Sequence, residues 1–236
     1  MAITKNKNGE LEVEQIKQKI ITAKLIGTSP LILSKKARSY ELMEVFKQSH
    51  NRGTEIPKSL DQPYNLYERL ITSIHWRDHI DYHEDYSEYT EEEWRNLMEN
   101  NAPCIHQLML TGAMKEAFIS FGFKESTGKN GTDLTRCTTF DNTFYPVSFK
   151  AYDYEQKLVP NNGKDRTNVI CEHNIFEGWT TEVSLICATI GFPIETVLSI
   201  LNTAGQFIGV GSQHKNGYGH FVLGDIKIAD VAIATI

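Results

Sequence analysis

The chain has 236 residues, a formal net charge of -6, and 40% hydrophobic and 23% charged residues, which is typical of one globular domain. It contains no run of about 18 apolar residues and begins without the apolar stretch of a secretory signal, so we expect a cytoplasmic protein with no membrane anchor. The four cysteines form no CxxC pair, which is typical of reduced thiols in the cytosol.

The negative charge is concentrated in one segment. Residues 51–100 hold five Lys/Arg against twelve Asp/Glu, whereas residues 1–50 hold nine against five. The field near a site matters more for binding than the total charge. The composition is therefore compatible with a basic groove outside residues 51–100.

The first strong elements are a strand and two helices. Residues 17–27 alternate, with Ile21, Ala23 and Leu25 on one face, which predicts a half-buried strand that ends at Ser29-Pro30. Thr90 followed by Glu93 is a capping-box pattern and predicts a helix start. Residues 103–121 have helical spacing of apolar side chains, with the proline in the first turn.

The second half of the chain repeats the order of strand and helix. Residues 122–142 and 155–168 are polar and predict long loops, and the stretch between them looks extended. A strand is predicted over residues 180–190, a helix from Pro193 and a last strand over residues 218–228.

This order predicts an α+β fold of the ferredoxin-like type, a split β-α-β unit. In this interpretation residues 1–236 form a single domain. Residues 34–100 then form an acidic, partly helical insertion after the first strand.

A glycine-rich segment lies between the second helix and the last strand. Gly209, Gly211, Gly217 and Gly219 form the pattern G-x-G-x5-G-x-G. Dinucleotide and P-loop cradles need the order strand, glycine loop, helix, so the reversed order here argues against them. Two interpretations remain. The glycines serve a tight turn with positive φ, or they leave backbone N–H groups free to form an anion-binding nest.

A helix followed by this glycine pattern and a closing strand resembles the RAMP superfamily of CRISPR-associated proteins. The segment Gly27-Thr28-Ser29-Pro30-Leu31-Ile32 and the helix led by Pro103 also resemble RAMP-like proteins encoded by bacteriophages and prophages. The resemblance touches roughly residues 18–34, 103–121 and 179–224. It implies a RAMP/RRM-like domain whose glycine-rich loop lies beside bound RNA, and assembly into oligomers or filaments in a bacterial host cell.

Within this resemblance, three groups of side chains are candidates for contacts to nucleic acid. Cations pair with phosphates, and flat rings stack on the bases of single strands. Tyr218 is a candidate for such a ring, with a place in the core as the alternative, and we expect Phe207 to lie in the core. For each charged residue the alternative is an ordinary solvated charge. The candidates are Lys35, Lys36 and Arg38 after the first strand, Arg136, Lys164 and Arg166 in the two long loops, and Ser212, Gln213, His214, Lys215 and Tyr218 at the glycine pattern.

Metal binding and catalysis have weaker support. His75, His79 and His83 are spaced by four residues and would share one face of a helix, where two histidines can hold zinc. The alternative is a solvated acidic loop, and we expect neither a metal nor a cofactor. RAMP nucleases use a histidine, or an aspartate in the loop after the first strand, but the matching residues 29–38 contain neither. His214, beside the glycine pattern, is the one catalytic candidate that remains.

The sequence predicts a non-catalytic protein that binds single-stranded nucleic acid, RNA first, and self-assembles. One alternative is a metal-independent endoribonuclease that uses His214. The other is a protein-interaction module, or an inhibitor that mimics a CRISPR subunit, because the acidic segment suits a basic partner.

Overall fold

The fold is mixed α+β and its sheets are antiparallel. The computed structural model describes residues 2–5, 11–14, 17–34, 70, 73–76, 90–160 and 168–231. Within these ranges the strands form one sheet of four strands, two of three strands and one of two strands. The two-stranded sheet pairs β1 (Ala2–Lys5) with β2 (Leu11–Glu14). No helix in the described ranges is long and apolar enough to span a membrane.

The largest sheet consists of β3 (Gln18–Gly27), β7 (Thr138–Phe140), β11 (Thr180–Ala188) and β12 (Phe221–Asp230). Its strand order is β12-β3-β11-β7, and all neighbours are antiparallel. The alternation predicted for β3 is confirmed, since Ile21, Ala23 and Leu25 are buried. The strands predicted over residues 180–190 and 218–228 are confirmed with slightly shifted ends.

Two helices, α2 (Gln107–Ser120) and α5 (Ile194–Thr203), pack against each other over the core. In chain order α2 lies between β3 and β7, and α5 lies between β11 and β12. Pro193 is the N-cap of α5, as the sequence predicts. Large side chains from both helices and the sheet fill the core, among them Phe118, Phe192, Leu201, Val183, Leu185 and Phe221.

The predicted start of α2 is wrong by four residues. Pro103–His106 forms a strand, β6, which pairs with β5 (His75–Trp76) and with β8 (Phe144–Pro146). The helix begins at Gln107, where the imidazole Nδ1 of His106 accepts the N–H of Leu108 at 3.0 Å. An apolar, buried β6 and a buried helix turn have the same sequence pattern, so periodicity alone does not distinguish them.

Residues 122–142, predicted as a loop, contain two short helices and strand β7. These helices are α3 (Phe123–Thr127) and α4 (Gly131–Cys137). Asn130 caps α4 and forms a capping box with Asp133. Polar capping residues look like loop composition in the sequence, which accounts for the error.

A long hairpin replaces most of the second predicted loop. β9 (Ala151–Pro160) pairs with β10 (Asn168–Glu177), which also pairs with β4 (Leu31–Leu33). The loop prediction is therefore wrong for residues 155–160 and 168, and residues 161–167 lie outside the described ranges. Backbone hydrogen bonds make the ladder, so a polar strand pairs as well as an apolar one.

A buried polar chain ties this hairpin to α1 (Glu91–Asn100), whose predicted capping box between Thr90 and Glu93 is confirmed. Trp94 Nε1 donates to the Tyr152 hydroxyl at 3.0 Å, and that hydroxyl donates to Asn174 Oδ1 at 2.8 Å. Asn174 Nδ2 donates in turn to Ser73 Oγ at 2.8 Å. Buried groups that are all satisfied fix one arrangement of the elements.

Candidate functional site

The glycine pattern forms one loop, residues 209–220, between a π-helical turn (Ala204–Ile208) and β12. This confirms its predicted place after a helix and before a strand. All four glycines have positive φ, between 70° and 88°. A left-handed backbone is costly for residues with a Cβ, so the conformation of the loop depends on these glycines.

Three of the four glycines also allow backbone to approach backbone. A Cβ on Gly209 would lie 2.6 Å from the carbonyl oxygen of Tyr218, and one on Gly211 would lie 2.5 Å from that of Ile32. A Cβ on Gly219 would overlap the carbonyl oxygen of Val210. A Cβ on Gly217 would meet nothing within 4 Å. The loop is therefore a packed structure and not an open linker.

The segment after β3 holds the loop in place through five hydrogen bonds. They are Thr28 N–H to His220 O (2.8 Å), His220 N–H to Ser29 Oγ (2.9 Å), Gly219 N–H to Pro30 O (2.8 Å), Ser212 N–H to Ile32 O (2.7 Å) and Ser212 Oγ to Ser34 O (2.7 Å). The segment after β3 and the glycine loop, which almost 180 residues separate in sequence, thus form one hydrogen-bonded unit.

Backbone N–H groups in the middle of the loop remain available. Those of Gln213, His214 and Lys215 have no hydrogen-bond acceptor within the described ranges. Gln213 is left-handed, at φ 59° and ψ 18°, and is followed by a right-handed 3-10 turn, His214–Asn216. Successive residues of opposite hand direct their N–H groups into one concavity that binds anions. The nest lies at Gln213–Lys215, and the glycines around it fix its shape.

A shallow groove of about 240 Å³ lies beside this nest. His214 Nδ1 is 3.2 Å from the carbonyl oxygen of Gly211. Because a carbonyl only accepts, Nδ1 carries the hydrogen, and Nε2 of the neutral ring is an acceptor. The residues that line the groove are Glu116 of α2, Phe207 and Ile208 of the π-helical turn, His214, Lys215 and Gly217 of the loop, and His220.

Phe207 was predicted to lie in the core, and that prediction is wrong. Its side chain is 59% exposed and lies against the ring of Phe121, itself 43% exposed, with ring centroids 5.0 Å apart. The cause is the π-helical turn, in which Gly209 N–H bonds to Ala204 O, five residues back, at 2.8 Å. The extra residue in the turn rotates Phe207 out of the apolar stripe of α5.

The other loop candidates occupy different positions. Lys215 is exposed, Ser212 is used in holding the loop to residues 32–34, and Gln213 supplies the left-handed residue. Tyr218 is half-buried and does not line the groove. Of the loop side chains predicted from the sequence, His214 and Lys215 are the two that line the groove.

The remaining cations are not brought to this groove by the described structure. Arg136 is exposed in the last turn of α4, which leads into β7 at the sheet edge opposite β12. Lys35, Lys36 and Arg38, and likewise Lys164 and Arg166, lie outside the described residues. The basic cluster does follow directly in sequence on Ser34, whose carbonyl is bonded to the loop.

The histidine repeat has one described member. His75 lies in β5, where its ring is 5.0 Å from that of His106 and 5.2 Å from that of Phe144. A strand does not place residues four apart on a helical face, so the reasoning from helix spacing fails at His75. His79 and His83 lie outside the described residues. In the ranges that the structure describes, no three His, Cys, Asp or Glu side chains are grouped to hold a metal.

Sequence reasoning missed four groups at this site: Ser29, Glu116, Phe121 and His220. Glu116 and Phe121 are a helix carboxylate and an aromatic residue with no local motif around them. Ser29 acts through a hydrogen bond to a residue almost 200 positions away. The early segment that carries Ser29 was a signal, since it belongs to the resemblance, but its contact with the glycine loop requires the fold.

No protein-family model and no curated protein matches the chain. Several solved structures have some likeness to it, among them the following two. One, titled as a cryo-EM structure of the type III-B Cmr-beta bound to cognate target RNA, has a TM-score of 0.40 and 13% identity over 90% of this chain. This chain spans 61% of the length of that one. The other is Cmr6 from Pyrococcus furiosus, with a TM-score of 0.32 and 13% identity, covering 88% of this chain and 99% of that one. Both likenesses are too distant to establish a shared fold or function.

Proposed function

We propose that the protein binds single-stranded nucleic acid in the groove beside the glycine loop. The observation that supports this is the combination of three features: backbone N–H groups at Gln213–Lys215 with no acceptor among the described residues, the cationic side chain of Lys215, and the exposed ring of Phe207. A strand of nucleic acid presents a phosphate and an unpaired base within one nucleotide. The groove offers a partner to each.

The nest is the phosphate site in this proposal. N–H groups that converge from a left-handed and a right-handed residue donate to an anion, and Lys215 adds a charge-assisted contact. His214 lines the groove next to this contact. These contacts are independent of sequence, because every nucleotide carries the same phosphate.

Phe207 supports a single strand over a duplex. Aromatic rings stack on bases that are free of a partner strand, and each such stack contributes about 1–3 kcal/mol. The ring of Phe207 is held against Phe121 at a centroid distance of 5.0 Å, so little freedom is lost when a base stacks on it.

We further propose that the four-stranded sheet with α2 and α5 is a ferredoxin-like split β-α-β domain of the RAMP type. The sheet is antiparallel, and its last strand in chain order, β12, lies beside its first, β3, which supports this. In this proposal residues 1–236 are one domain, residues 34–100 are an insertion in it, RNA is the ligand, and copies assemble along the strand. A phage or prophage origin belongs to the same proposal, which draws nothing from the two distant structures.

Fluorescence anisotropy with labelled 12-nucleotide RNA, the same sequence as DNA, and an RNA duplex tests this function at about 50 and 200 mM salt. We expect the single-stranded RNA to bind most tightly. Lys215→Ala should raise its Kd about threefold to tenfold and lower the salt slope by about 0.7, as for one phosphate contact. Lys227→Ala, an exposed lysine of β12 away from the groove, is the matched control. No binding to any probe at the lower salt would refute the proposal.

One observation favours endoribonuclease activity as a second candidate, namely that His214 and His220 both line the groove. One imidazole would take the proton of the ribose 2′-OH, which attacks the phosphorus, and the other would protonate the departing 5′ oxygen. Incubation of labelled RNA with EDTA, followed by a denaturing gel, tests it. Intact RNA, or cleavage that survives both His214→Ala and His220→Ala, would refute it.

The protein-interaction alternative stays a prediction, because most of the acidic residues 51–100 lie outside the described ranges. Pull-down from a bacterial lysate, with and without nuclease treatment, separates it from nucleic-acid binding. A partner retained after nuclease treatment would favour that alternative.

A further inference from the structure

One residue that lines the groove, Glu116, carries a carboxylate. Glu116 is exposed on α2 and lines the groove together with Phe207 and Lys215. It makes no hydrogen bond or ion pair with any described residue. A negative side chain repels a phosphate, so the part of the groove at Glu116 is unsuited to the backbone of a nucleic acid. It is suited to hydrogen-bond donors.

The residues that line the groove therefore present three kinds of chemistry. The nest and Lys215 accept an anion, Phe207 offers an aromatic face, and Glu116 offers two acceptor oxygens. A nucleotide has the same three parts: a phosphate, a base face and a base edge. When the phosphate lies on the nest and the base stacks on Phe207, the Glu116 carboxylate is left to contact the base edge.

We infer that Glu116 selects the bound base and that the groove prefers guanine. This inference rests on the proposed binding of single-stranded nucleic acid. Guanine has two adjacent donors, N1–H and the N2 amino group, on its Watson–Crick edge, and a carboxylate accepts both in parallel. Uracil places one N–H between two carbonyl oxygens, which a carboxylate repels. Adenine and cytosine place an amino group beside a ring acceptor, so each offers only one favourable contact.

A series of U-rich 10-nucleotide RNAs with one central guanosine, inosine, adenosine, cytidine or uridine tests the inference by anisotropy. Inosine keeps N1–H and lacks the amino group, so it isolates the second hydrogen bond. We expect guanosine to bind about fivefold to tenfold more tightly than uridine, at the low end for a bidentate contact because the groove is open to water. Inosine should fall between the two.

Glu116→Gln should reduce the guanosine preference to less than about twofold, because an amide offers one acceptor and one donor. Glu116→Ala is measured beside it, and both variants of this exposed residue should melt within about 2 °C of the natural protein. Glu99→Gln, an exposed glutamate of α1 outside the groove, should keep the preference. Lys215→Ala should weaken all five probes by the same factor.

The outcomes separate the inference from the function on which it rests. Equal affinity for all five probes would overturn the base selection and leave nucleic-acid binding standing. A guanosine preference that survives both changes at Glu116 would also overturn it. Failure of every probe to bind at low salt would overturn the inference and the proposed function together.

Discussion

Two glycines of the same loop provide the sharpest test of how the site is built. Gly217 and Gly219 both have positive φ, at 88° and 70°, so alanine is strained at either position. Their surroundings differ. A Cβ on Gly217 would meet nothing within 4 Å, whereas one on Gly219 would lie 2.9 Å from the carbonyl carbon of Val210 and overlap its oxygen.

The difference in stability follows from these contacts. A left-handed alanine costs about 1–2 kcal/mol, which is the whole expected effect of Gly217→Ala. Gly219→Ala adds a collision with rigid backbone. Moving that backbone breaks Val210 N–H to Gly219 O (2.9 Å) and Gly219 N–H to Pro30 O (2.8 Å). At about 1 kcal/mol for each bond, the total for Gly219→Ala is about 3–4 kcal/mol.

Urea unfolding followed by circular dichroism measures both variants against the natural protein. In a thermal melt of the same variants, with about 2–4 °C of Tm per kcal/mol for a chain of this size, Gly219→Ala should melt about 6–16 °C lower and Gly217→Ala about 2–8 °C lower. The m-value should not change, since both effects are local. Equal losses for the two variants would show that backbone conformation, and not the close approach at Val210, controls the loop.

Three further predictions concern the rest of the molecule. Tyr152→Phe removes the two hydrogen bonds that the hydroxyl makes to Trp94 and Asn174, and should lower the free energy of unfolding by about 1–3 kcal/mol in a urea titration. A loss under about 0.5 kcal/mol would contradict the role of this hydrogen-bonded chain. Burial raises the pKa of the Cys187 thiol to about 12, and Cys137 nearby contributes. Iodoacetamide at pH 8 should therefore modify half-buried Cys137 but leave Cys187 unmodified until urea is added, which peptide mass spectrometry measures. Gly112 is exposed inside α2, and a Cβ there would meet no atom within 4 Å, so Gly112→Ala should raise the Tm by about 1–4 °C through the higher helix propensity of alanine. A lower Tm would contradict that placement.

The elements that the sequence predicts correctly are those with strong local determinants. Strand β3 alternates cleanly, Thr90 and Glu93 form a capping box, and Pro193 begins α5. Each pattern is decided by residues within one or two turns, where propensity and burial agree. The position of the glycine loop follows from its neighbours for the same reason.

The errors arise where tertiary contacts decide. Pro103–His106 is a strand because β5 and β8 flank it, and neither neighbour is close in sequence. The polar β9–β10 hairpin is held by its ladder and by Asn174, whose partners lie about 20 and 100 residues away. Local composition contains none of this information, and it therefore predicts a helix and a loop.

The same contrast between local and tertiary determinants applies to the candidate site. The sequence identifies the glycines, and the structure shows that they shape the segment Gln213–Lys215 between them. Gly209, Gly211 and Gly219 are used for close packing against residues 30–34 and against the loop itself. That packing fixes the ends of the loop and forces Gln213 into a left-handed conformation that a glutamine adopts only under constraint. In the proposed function the three N–H groups of Gln213–Lys215 bind the phosphate, so the glycine pattern would act on a ligand through residues that the motif does not include. A search for sites of this kind should therefore examine the residues that a glycine pattern constrains as closely as the glycines themselves.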